Sequence, residues 1–157
     1  MELRELAERI LYGAELEDKL FRPASIEDLR PGRPVAAPHQ PGRSPSIAPR
    51  PNARSPFPRL SDTADERTIG EALGFFANHE LLAIEIMALA LLRFPDAEPR
   101  VRSELYATLC DEQRHLGLYL TRIEELGAHF GQGGLSDFFW RIFREIDRIE
   151  QFAAGMS

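Results

Sequence analysis

Three residues of this chain have types and spacing that suit a metal site: Glu80, and the pair Glu112 and His115 in an E-x-x-H. Counted from Asp96, Glu80 lies sixteen residues back and Glu112 sixteen residues forward. If the chain folds into two antiparallel helices about the F-P-D-A-E-P turn, these carboxylates end up level, roughly 24 Å from the bend at 1.5 Å per residue. Carboxylates and imidazole suit iron and manganese, and this set amounts to half of a dinuclear site.

The elements that must carry these residues have their own periodicity. The first helix has an apolar stripe of Ile69, Leu73, Phe76, Ile84, Met87 and Leu91 with Glu80 in its middle. The second has Val101, Leu105, Thr108, Tyr119, Ile123 and Leu126, with Glu112 and His115 at its centre. A carboxylate facing a helical core is costly unless it is paired or binds metal, so two at matched height call for a compensating partner. Glu85 lies beside the main seam on the stripe Gly74, Asn78, Leu81, Glu85, Ala88, Leu92, where it suits a bridging, outer or fourth metal ligand. His79, on the face with Ala72, Ala83 and Ile86, is ambiguous in the same way. The bland alternative is that Glu112 pairs with an arginine such as Arg114 or Arg122 and His115 is a satisfied core histidine.

Length and composition bound the rest. At 157 residues the chain is long enough for one domain with a real core, but ten of its twelve prolines lie between Pro23 and Pro58, so the part able to fold into helices is smaller. The single cysteine, Cys110, excludes an internal disulfide, and no charged start followed by an apolar run suggests a secretion signal; a reducing cytoplasm is the default expectation. The apolar run Leu81 to Leu92 contains Glu85 and is too short to span a bilayer, so no membrane partner is expected. A net charge of −6 argues against general nucleic-acid binding. Its distribution is uneven: residues 22–60 carry seven arginines against Glu27 and Asp28, while residues 61–157 carry nine arginines against seventeen acids.

Three segments follow. Residues 1–21 form an amphipathic helix over 2–20, with Leu3, Leu6, Ile10 and Leu11 on one side. Residues 22–60 are dense in proline and arginine, which excludes helix and central strand; Val35, Ile47, Phe57 and Leu60 give them footholds as an extended strap over the helices, the alternative being a linker. Residues 61–157 are helical. Ser61, Asp62, Asp65 and Glu66 supply cap and first-turn acids for a helix running to about Arg93, where Phe94-Pro95 stops it. Pro99 opens a second helix that runs to Leu126 before Gly127, and a third spans about Ser136 to Ala153.

The wording of these helices resembles the ferritin-like superfamily, and more narrowly the domain-of-unknown-function family 455. The matching text is H-E-L-L-A-I-E-I-M-A at 79–88, L-L-R-F-P-D-A at 91–97, D-E-Q-R-H at 111–115, Y-L-T-R-I-E-E-L-G at 119–127, F-G at 130–131 and F-F-W at 138–140. The resemblance implies an all-α four-helix bundle in which a glutamate on one helix and E-x-x-H on the next, repeated once, hold two iron or manganese ions. Glu80 then matches the lone glutamate, and Glu112 with His115 the E-x-x-H. Asp111 and Arg114 match residues outside the ligand set, in a form where the acid orients a ligand histidine. This chain has no second E-x-x-H. It is therefore expected to supply the first antiparallel pair of the bundle and a connecting helix, as a truncated piece of a longer protein or as one of two chains that share a bundle; truncation is the favoured expectation.

The function this implies is the N-terminal half of a dinuclear metal carboxylate protein, an oxidase or oxygenase. The alternatives are an iron-handling protein of ferroxidase type and a helical interaction module that has lost its site. The expected partner is the missing C-terminal half or a second copy. Because two or three helices cannot cover the faces that a four-helix bundle buries, the isolated chain is expected to self-associate. Light scattering that shows a monodisperse monomer with cooperative unfolding would contradict this.

Overall fold

The computed structural model describes residues 1–50, 65–132 and 134–145. The proposed caps Ser61 and Asp62, the footholds Phe57 and Leu60, and the expected third helix beyond residue 145 lie outside these. Among the described residues the fold is all-α, with helices α1 (Leu3–Tyr12), α2 (Leu16–Lys19), α3 (Glu66–Arg93), α4 (Pro99–Glu125) and α5 (Phe138–Phe143) and only isolated bridges in place of strands.

The expected helix over 2–20 is broken in two. A Cβ at Gly13 would collide with the Asp18 side chain and the Arg9 carbonyl, so the chain turns there, packing α2 tightly under the end of α1. Residues 21–50 then cross the helices in extended form and attach main chain to main chain. Leu3 donates to the Glu27 carbonyl (2.7 Å), Val35 to Leu92 (3.1 Å), Gly42 to Leu11 (2.8 Å), Ser44 to Ala14 (2.8 Å) and Arg50 to Leu135 (3.1 Å). The proline-rich sequence cannot form its own ladder, so the Val35 and Gly42 N–H groups find carbonyls at the ends of α3 and α1, and those of Ser44 and Arg50 find loop carbonyls.

Helix α3 is the centre of the fold, with α4 packed along one side and α1 on the other. Asp65 caps it by accepting from the Thr68 N–H (2.8 Å). Its last carbonyls are taken by a buried guanidinium from α4: Arg102 donates to the Leu91 and Phe94 carbonyls (2.8 and 2.9 Å) and holds Asp28 of the strap through two bonds (2.6 and 2.9 Å). This clamp sets the bend. At the far end α4 closes on Gly127, whose φ of +69° suits only glycine without strain.

The buried face of α3 differs from the seam read in the sequence. It is formed by Ala77, Asn78, Leu81, Leu82, Ile84, Glu85, Ala88, Leu89, Leu91 and Leu92, whereas Phe76 is 39% exposed. On α4 the buried positions are Arg102, Leu109, Gln113, Leu116 and Ile123, and Val101 is half-exposed. A third packing layer, α1, rotates the core of α3 toward the stripe that carries Glu85. Although α3 is long and apolar enough to cross a membrane by length and composition, here it serves as the core helix between α1 and α4.

Glu85 is fully buried and carries the principal ionic cluster of this core. Lys19 Nζ lies 3.1 Å from its Oε1 and Arg43 Nη2 2.6 Å from its Oε2, with both cations equally buried. Lys19 also donates to the Ile10 carbonyl (2.6 Å), and Arg43 to Asn78 (3.4 Å) and the Ile47 carbonyl (3.3 Å). Burial pushes the Lys19 pKa down and the Glu85 carboxylate offsets part of that. Removing one member of such a cluster leaves uncompensated charge, at a typical cost of about 3–5 kcal/mol, whereas replacing all members by apolar groups is often close to neutral. Glu85→Ala is therefore expected to cost about that much in chemical denaturation, and the triple change Lys19→Met, Arg43→Met, Glu85→Met far less. A Glu85→Ala loss below about 1 kcal/mol would show that the cluster does not anchor the strap.

Candidate metal centre

The donors converge across the α3–α4 groove. One ligand atom from each of Glu80, Glu112 and His115 lies within 4.8 Å of the other two, which among the described residues marks the group able to hold a metal ion. The equal sequence distance to the bend brings Glu80 and Glu112 level, and the i,i+3 spacing puts His115 on the same strip of α4. The group sits at the rim of the helix interface: Glu80 and Glu112 are partly buried, and the His115 side chain is about half exposed.

Inside the group the hydrogen bonds are continuous. Glu80 and Glu112 share a carboxyl hydrogen bond, and His115 Nδ1 lies 2.9 Å from Glu112 Oε2. Burial first, then the hydrogen bond and charge of Glu112, push the Glu80 pKa up to about 7, while His115 draws it back somewhat. The Glu112 pKa is lowered, chiefly by the hydrogen bond from Glu80 and then by His115, against the opposing effect of burial. Glu80 therefore carries the shared proton and Glu112 the negative charge. Two carboxylates and an imidazole are a fitting donor set for iron or manganese.

The other residues singled out in the sequence lie elsewhere. Glu85 is held by Lys19 and Arg43 and does not join the group, because its stripe faces α1 and the strap instead of the α4 rim. Asp111 and Arg114 pair with each other (2.8 Å) on the exposed face of α4, and His115 Nδ1 is hydrogen-bonded to Glu112. Arg122 pairs with Glu125 (2.7 Å), so neither arginine offered as a partner for Glu112 takes it. His79 Nδ1 is bonded to the Phe75 carbonyl (2.9 Å), and its ring packs between Phe75 and Phe139. Sequence reasoning missed Gln113, about 100° round the helix from Glu112, whose Nε2 donates to the Lys19 and Phe21 carbonyls and whose Oε1 is buried with no partner among the described residues. An uncharged side chain on a mixed stripe gave no signal for it.

A family model described as "Protein of unknown function (DUF455)" matches residues 5–156. The chain belongs to this family. No curated protein and no solved structure matches it. The DUF455 match extends across the strap as well as the helices, so the N-terminal wrapping and the α3–α4 pair belong to one family unit.

The Glu80 proton has a consequence for stability. An ordinary glutamate in the unfolded chain loses its proton near 4.5, whereas folded Glu80 keeps it to about 7. Between those values the folded state binds more protons, so its stability falls as pH rises; the contribution is full below about 4.5 and gone above about 7. Glu112, shifted down, has the opposite sign and loses its contribution only as pH falls below 4.5. In metal-free protein with chelator present, Tm is expected to drop from about pH 5 to about pH 8 for the natural chain and to drop less for Glu80→Gln. Parallel curves would remove the shared proton from the site.

Proposed function

We propose that this chain carries half of a dinuclear iron or manganese carboxylate centre of the ferritin-like kind, with Glu80, Glu112 and His115 as ligands, and that the centre serves an oxidase or oxygenase. The observation that carries the reading is the convergence of these three donors within 4.8 Å, from two helices, at matched height above the bend. A redox-active metal held there would supply Lewis acidity and a path for electrons from a reduced substrate to dioxygen. The protein's own contribution is to present Glu112 as an anion, to align His115 through Glu112, and to release the Glu80 proton so that its carboxylate can ligate or bridge. Dry aliphatic packing from Leu81, Leu109 and Leu116 fixes the two backbones that carry them.

A second reading has its own observation. The proton shared by Glu80 and Glu112, with His115 hydrogen-bonded to Glu112, satisfies the group internally, as a metal-free interaction module would require. An iron-handling protein of ferroxidase type would keep the same ligands and lack an organic substrate.

Anaerobic titration with iron(II) or manganese(II), read as bound metal per chain by elemental analysis, separates these. The natural chain is expected to bind metal, and Glu112→Ala or His115→Ala to weaken binding by at least about tenfold, the lower end of what lost support costs at metal sites. Asp111→Ala, on the outer face, is expected to bind like the natural chain. Metal binding that survives Glu112→Ala unchanged would place the site elsewhere and overturn the proposal.

A further inference from the structure

Lys19, the last residue of α2, is bonded to both helices that carry the metal group. Its side chain reaches Glu85 on α3 (Nζ to Oε1, 3.1 Å), and its main-chain carbonyl accepts from Gln113 Nε2 on α4 (2.8 Å). Two residues on, the Phe21 carbonyl accepts from the same amide (3.2 Å), which uses both N–H groups of Gln113. Lys19, Glu85 and Gln113 are all buried. The segment from Lys19 to Phe21 is therefore a staple across the two arms of the hairpin. Gln113 is seventeen residues from Asp96 and Glu85 eleven, roughly 25 and 17 Å from the bend, against 24 Å for Glu80 and Glu112. The staple grips the arms at and just below the level of the ligands.

Rotation is what such a grip controls. Gln113 stands about 100° round α4 from Glu112, and Glu85 about 140° round α3 from Glu80. Pins at these angles fix the turn of each helix about its own axis, which a clamp at the bend does not. Ten degrees of rotation sweeps a side-chain end, some 5–6 Å from the axis, through about 1 Å. Metal–ligand distances tolerate a few tenths of an ångström. An apolar residue at 113 would avoid the cost of burying Gln113 Oε1, which has no partner among the described residues, but it would leave both carbonyls and α4 unpinned. We propose that the Lys19–Phe21 junction positions the metal centre, fixing the rotation of α3 through Glu85 and that of α4 through Gln113, so that Lys19 and Gln113 are positioning residues for ligands they do not touch. This rests on the metal reading above and adds what holds its donors in phase.

The test is manganese(II) titration of the full chain and its variants, read as a dissociation constant and as the electron paramagnetic resonance spectrum of the bound ion, beside chemical denaturation of each. Gln113→Met keeps the length of the side chain and removes its donors. It is expected to weaken manganese binding about tenfold and to broaden the spectrum, as lost support at a metal site does. The triple change Lys19→Met, Arg43→Met, Glu85→Met releases α3 instead, at small cost in stability, and is expected to do the same. The outcome therefore does not hang on whether Gln113→Met folds. Ile123→Ala is the control: it opens a cavity on the buried face of α4, ten residues beyond Gln113, and lowers the denaturation midpoint. A chain that stays folded keeps its binding-competent fraction, so the manganese affinity of Ile123→Ala is expected to match that of the natural chain. Natural affinity in either folded variant, Gln113→Met or the triple change, would overturn this inference and leave the metal reading standing, as would an equal loss in Ile123→Ala. A natural chain that binds no manganese would sink the metal reading itself, and this inference with it.

Discussion

Glu85 is a carboxylate with no water to solvate it, and the N-terminal third of the molecule is arranged to answer that charge. A bare ion in a helical core costs several kcal/mol, so it exists only with partners, and here one comes from the short helix α2 and the other from the strap. Lys19 and Arg43 are 24 residues apart and reach the same carboxylate from different segments. The helix break at Gly13, the close packing of α2 and the path of residues 21–50 all follow from bringing those two cations to one point. The strap cannot stabilise itself by sheet hydrogen bonds, so this ionic anchor and the carbonyl contacts at helix ends hold it in place.

Five residues separate Glu80 from Glu85 on one helix, and the two acids meet opposite conditions. Glu85 faces α1, is surrounded by cations and is fixed. Glu80 faces the rim, has another acid as its neighbour, and answers by keeping a proton. The first arrangement is closed: each carboxylate oxygen has a cation. The second is open, since the same three donors that share a proton could share a metal ion instead. Helix α3 thus separates a structural carboxylate from a chemically available one by about 140° of rotation about its axis, at 3.6 residues per turn.

Much of the helix pair was legible in the sequence because its signals are local. Pro95, Pro99, the 3-4 apolar spacing and the symmetric count about Asp96 are enough to place two helices, their bend and the Glu80–Glu112–His115 level. The buried face was read about a quarter-turn off, because periodicity shows an apolar stripe but not which of two adjacent stripes a third element will cover. Nothing near α3 in the sequence announces α1 as that element. The Glu85 partners were illegible for a related reason. Lys19 and Arg43 stand 66 and 42 residues from it, and a lone lysine near the end of an amphipathic segment ordinarily reads as a solvated charge. Asp111 and Arg114, read together as residues outside the ligand set, stand three residues apart on one helix face and pair with each other.

The Arg102 clamp gives the bend a mechanical meaning. The Leu91 and Phe94 carbonyls and the Asp28 carboxylate all converge on one guanidinium at the pivot of a hairpin whose donors sit some 24 Å out along its arms. With that lever, one degree of opening at the pivot displaces one arm against the other by about 0.4 Å at the level of Glu80 and Glu112. Metal–ligand geometry tolerates only a few tenths of an ångström. The gap between the two carboxylates therefore answers to the pivot as well as to the leucine packing beside it, through a cation that never touches them, and Asp28 makes the strap part of the same hinge.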